Sequence, residues 1–97
     1  MNYWLHPMAA EEHKKQVAYY EHTRPGLGRR YHAEFLDVAA RVCAKPLQSR
    51  IVHAPDLRSA LFKVFQFELI YREVGGDVQI LAIAHHRRQP GYWLGRL

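Results

Sequence analysis

The clearest pattern in the chain follows Gly28. Tyr31, Phe35, Val38, Ala39 and Val42 recur at i, i+4, i+7, i+8 and i+11, which is one face of a 3.6-residue period. Arg30, Glu34, Asp37 and Arg41 fall on the other faces, so a second helix with one buried side is predicted here. A first helix is predicted from about Met8 to His22, with Pro7 in its first turn and Glu11 and Glu12 near its positive end. Its apolar stripe (Met8, Ala9, Ala10, Val17, Ala18, Tyr19, Tyr20) is weak. Thr23 to Gly28, TRPGLG, holds residues that end one helix and start another, so the two helices form an antiparallel hairpin.

Strand patterns flank this hairpin. Asn2 to Pro7, NYWLHP, reads as a first strand of about five residues closed by proline. Lys45 to Asp56 contains two prolines and little periodicity, and is expected to be mainly loop. Leu57 to Phe65 forms the next strand. From Phe65 to Val74, Phe65, Phe67, Leu69 and Tyr71 alternate with Gln66, Glu68 and Arg72, with Ile70 as the exception. Gly75-Gly76-Asp77 makes a hairpin turn, and Val78 to Arg87 is a long strand, apolar on both faces at its centre and therefore central. The order β-α-α-β-β-β gives an α+β fold, a helical hairpin packed on a mostly antiparallel sheet.

With 97 residues, 48% of them hydrophobic and 24% charged, the chain builds one domain, residues 1–97, around a single modest core. Its formal charge of +5, with seven histidines in reserve, favours polyanions or acidic proteins as partners. The lone Cys43 excludes an internal disulfide framework and reads as a thiol buried in the helical stripe. No apolar run reaches a membrane span, and MNYWLHPMAAEEHKK is no secretion signal, so a cytoplasmic protein is expected.

Candidate chemistry concentrates at Ala84 to Trp93, AHHRRQPGYW. Adjacent His85 and His86 diverge on a strand, and no Cys, His or Asp stands at zinc spacing, so neither a metal nor a cofactor is expected. Arg87 and Arg88 read most simply as a charged rim where the strand leaves the core, a reading weakened by Tyr92 and Trp93, which follow. Guanidinium beside aromatic rings can hold phosphate and stack a base, or act as a protein hot spot, while Trp93 can equally close the core. Arg58 shares the parity of Ala60, Phe62 and Val64, where its charge needs a partner or a cleft. Cleavage of RNA through its 2′-hydroxyl needs a base, an acid and positive charge, which His85 or His86, Tyr92 and the arginines could supply. No phosphate loop, GxSxG elbow or HExxH pair is present, and Arg29-Arg30 reads as a solvated face.

Several of these stretches together resemble the RelE/ParE superfamily of toxins from bacterial type II toxin-antitoxin systems, on its ParE-like side. They are LHP after the first strand, YYEHTRPGLGRRYHAEF across the helices, LRSALFKVFQFELIYRE in the paired strands, and ILAIAHHRRQPGYW at the end. Phe65-Gln66-Phe67 stands where many relatives have Phe-Pro-Tyr. The resemblance implies a growth-inhibiting toxin held in a hetero-oligomer by an acidic cognate antitoxin. ParE-like members inhibit DNA gyrase and have no established hydrolytic chemistry, whereas RelE-like members cut messenger RNA on the ribosome. Arg58 matches the family arginine that starts the second strand, and Arg87 or Arg88 matches its last-strand basic site. Tyr92 lies near the RelE-type tyrosine, displaced by Gln89-Pro90-Gly91, while the RelE-type lysines have no counterpart beyond the isolated Lys63.

A ParE-like toxin acting on gyrase or another protein is the expectation, with Arg58, His86, Arg87, Arg88, Tyr92 and Trp93 as target-binding residues. The alternative is a ribosome-dependent endoribonuclease using Arg58, His85, His86, Arg87, Arg88 and Tyr92. A further alternative is a non-toxic basic module that binds nucleic acid.

Overall fold

A computed structural model describes all residues from Met1 to Leu97. The chain runs β1 (Tyr3–Leu5), α1 (Pro7–Thr23), α2 (Leu27–Ala44), β2 (Arg50–His53), β3 (Leu57–Leu61), β4 (Phe67–Val74), β5 (Asp77–His85) and a C-terminal 3₁₀ turn, Tyr92–Arg96. The sheet order is β1-β5-β4-β3-β2. Only the β1–β5 pair is parallel, so the predicted mostly antiparallel α+β architecture holds. No helix is long and apolar enough to cross a membrane.

The expected loop from Lys45 to Asp56 contains a strand. Arg50–His53 pairs antiparallel with β3 along the sheet's edge. Four residues between two prolines carry no alternation of their own, so this strand exists only through the template that β3 offers. All four expected strands are also shorter than predicted. β1 covers only Tyr3–Leu5, β3 stops at Leu61, β4 starts at Phe67, and β5 ends at His85 rather than Arg87. Between β3 and β4 the backbone turns away from pairing because Glu34 on α2 captures it: its carboxylate accepts the N–H groups of Lys63, Val64 and Phe65 at 2.7 to 3.1 Å. Burial raises the Glu34 carboxyl, but these three N–H groups and Arg41 outweigh it and hold it below its usual range.

Two apolar layers divide the sheet's faces. On the helix side, Tyr31, Phe35, Val38, Ala39 and Val42 of α2 meet Ala60, Leu69, Tyr71, Val78, Ile80 and Ile83, so the predicted stripe is the buried one. On the other side, Leu57, Ile70, Leu81, Ala82 and Ala84 are covered by Trp93 from the 3₁₀ turn. β5, buried on both faces, has the interior position its sequence predicts. Helix α1 crosses α2 closely at Gly28, where a Cβ would collide with the backbone carbonyl oxygen of Val17. The site therefore admits no side chain.

α1 buries little besides Ala9 and His13. The His13 ring lies tilted against Phe35 with centroids 4.4 Å apart, and its Nε2 shares a hydrogen bond with His32 Nδ1 at 2.9 Å. Burial, and then the neighbouring His32, lower its pKa from 6.5 to about 4. The folded chain thus refuses a proton that the unfolded chain accepts, so His13's contribution is complete above pH 6.5 and is lost as pH falls toward 4. Discounted for water at the ring's edge, the loss is on the order of 2 kcal/mol, or roughly 10 °C in melting temperature. Calorimetric scans from pH 7 to 5 should show a decline that is much flatter in His13→Gln. A parallel decline in both proteins would contradict the assignment to His13. Glu34 loses its contribution only at more acid pH, because its carboxyl is held below the usual range.

Candidate functional site

β5 delivers the charged segment to one end of the sheet, and the chain then folds back. At the strand end, the His85 ring stands edge-on to Phe67 with centroids 5.0 Å apart. Its Nδ1 accepts the N–H of Arg87 at 3.0 Å, which leaves Nε2 as the protonated nitrogen of the neutral ring. His86 and Arg87 face solvent. Gly91, with φ of 85°, then turns the chain through a left-handed conformation into the 3₁₀ turn.

A compact ionic cluster pins that turn. The Arg96 guanidinium, with only 5% of its side chain exposed, donates to both carboxylate oxygens of Glu12 on α1. It also donates to the carbonyl of Leu81 at 2.8 Å. Leu81 is the extra residue of a β-bulge, since Ile70 pairs with Ala82 and Tyr71 with Ile80. Arg88 lies over the Tyr92 ring at 3.9 Å, with its Nη1 3.8 Å from Glu12 and half of its side chain in water. Burial, and then Glu12, raise the Tyr92 phenol, with Arg88 and Arg96 pulling the other way, so it keeps its proton at neutral pH. Trp93 is buried as a lid on the outer face of the sheet. It does what the core-closing reading of that residue expected.

The structure brings together His85, Arg88 and Tyr92 and leaves His86 and Arg87 on the adjoining rim. Arg58 lies elsewhere. It pairs with Tyr71, whereas His85 pairs with Phe67, four residues or roughly 13 Å along β4. Its guanidinium donates to the carbonyls of Leu47 (3.2 Å) and Ser49 (2.7 Å), which ties down the loop that leads into β2. No set of three or more metal-binding side chains occurs anywhere in the chain.

Against known families, residues 3–90 match the model described as the ParE toxin of the type II toxin-antitoxin system, parDE. The chain belongs to the ParE toxin family. Among solved structures it is similar to a chain of the chromosomal ParDE TA system from P. aeruginosa. The TM-score is 0.74 at 18% identity, covering 88% of this chain and 95% of that one, a likeness of fold. No curated protein sequence matches it. The family match stops before Tyr92, Trp93 and Arg96, so the pinned turn lies beyond what this ParE toxin demonstrably shares with its family. As a toxin of a toxin-antitoxin family, it has an antitoxin for a partner.

Sequence reasoning missed Glu12 and Arg96. They lie 84 residues apart, and nothing local to either signals the pair. A buried arginine on the last turn of a small basic chain reads, in sequence, as one more solvated charge.

Proposed function

We propose that this ParE-family chain arrests growth in the cytoplasm by binding a protein target, DNA gyrase first among the candidates, through the edge formed by His86, Arg87, Arg88 and Tyr92. An acidic antitoxin neutralises it in a hetero-oligomer, and the net charge of +5 suits such a partner. The observation that supports contact over cleavage is the separation of Arg58 from His85, Arg88 and Tyr92, because phosphodiester cleavage needs its charges and its proton carriers around one phosphate. His85 is further committed through Nδ1, and Tyr92 retains its proton beneath Arg88. What remains presented is an arginine on an aromatic platform, the composition of a protein hot spot.

Inducible expression with and without the adjacent reading frame tests this reading. Growth should stop, resume on antitoxin expression, and leave messages without new 5′ ends in primer extension. New 5′ ends that track toxin induction would replace it with the ribonuclease reading. Unimpeded growth would replace it with the non-toxic nucleic-acid module.

A further inference from the structure

A cleft of about 400 Å³ opens between α1 and the end of β5, lined by Glu12, Lys15, Tyr31, His85 and Arg88 among others. Its chemistry is uneven. Tyr31 is fully buried, yet its hydroxyl has no hydrogen-bond partner. A buried phenol O–H without an acceptor is costly, and such groups are rare in folded proteins. Lys15 makes no ion pair, and Arg88 reaches Glu12 only at 3.8 Å. Glu12, the one acid in the wall, is already bound at both oxygens by Arg96. Beside the amide of Gln16 and the hydroxyl of Tyr19, donors therefore converge on a space whose only carboxylate is already paired.

We infer that this cleft receives a carboxylate side chain of the antitoxin, with the Tyr31 hydroxyl donating at its floor and Lys15 and Arg88 pairing with it at the rim. The inference rests on the antitoxin reading above and adds how that partner is held. A carboxylate suits the site better than a nucleic-acid backbone. Phe67 and Ile83 give the wall an apolar stretch that fits a short methylene stem, which a run of phosphates lacks. His85 adds a further donor through Nε2. Because Arg88 belongs both to this cleft and to the proposed target edge, an antitoxin anchored here covers that edge directly.

Calorimetric titration of the purified toxin with the antitoxin encoded beside it decides the matter, using wild type, Tyr31→Phe and Lys15→Gln. Tyr31→Phe should melt no lower than wild type, since it removes an unpartnered group. Its Kd for the antitoxin should nevertheless rise about tenfold or more, the scale of a hydrogen bond to a charged acceptor. Lys15→Gln should also weaken binding and lower the salt dependence of Kd. An unchanged antitoxin Kd in both variants overturns the carboxylate site. So does a single-stranded RNA oligonucleotide that binds wild type and is lost from both variants while antitoxin binding persists. Failure of the antitoxin to bind wild type overturns instead the partner reading beneath it.

Discussion

Replacing Arg96 with methionine is expected to lower the melting temperature by roughly 10 °C, because removing the buried half of a partly buried ion pair together with its hydrogen bond to Leu81 costs about 2 kcal/mol. The substitution leaves the partly exposed Glu12 carboxylate with only the long contact to Arg88 and removes the donor to the bulge carbonyl of Leu81. It also frees the turn that seats Trp93 over Leu57, Ile70, Leu81, Ala82 and Ala84. Glu12→Leu combined with Arg96→Met should recover much of the loss, since a hydrophobic pair of similar volume spares both desolvation costs. Thermal melts of the single and double variants check this. A drop of only a few degrees in Arg96→Met would mean that the pair contributes little and that the turn is held by Trp93 alone.

The second large effect concerns activity. Arg88→Ala should leave the melting temperature within a few degrees of wild type, because half of the Arg88 side chain is in water and its contact with Glu12 is long. Toxicity should nevertheless fall, with roughly thirty times more toxin needed for half-maximal inhibition, the scale of a hot-spot residue. Arg58→Ala should behave in the opposite way. Its hydrogen bonds to Leu47 and Ser49 are structural, so stability falls while the folded protein stays toxic. Dose-response curves on folded, purified variants separate the two. Equal potency of Arg88→Ala and wild type would remove Arg88 from the target edge.

The contrast between these arginines shows what the sequence could carry. The stripe of Tyr31, Phe35, Val38, Ala39 and Val42 was legible because burial on a helix imposes a local period. The interior place of β5 was legible because burial on both faces erases alternation. Strand β2 was not, because its partner and not its composition makes it a strand. The same limit applies to the site. AHHRRQPGYW advertises its charge and rings, but whether Arg58 joins them depends on strand register, and whether Glu12 and Arg96 anchor them depends on a contact 84 residues apart. Tyr31 reads as an ordinary core residue in sequence, and only three dimensions show its hydroxyl unpartnered at the floor of a cleft.

The central claim is that the toxin acts by gripping a protein through the Arg88–Tyr92 edge and not by cutting RNA. The most direct test is a DNA supercoiling assay with purified gyrase and purified toxin. Wild type should inhibit gyrase, Arg88→Ala should inhibit it weakly, and adding the antitoxin should restore activity. Unchanged gyrase activity at saturating wild-type toxin would contradict the account.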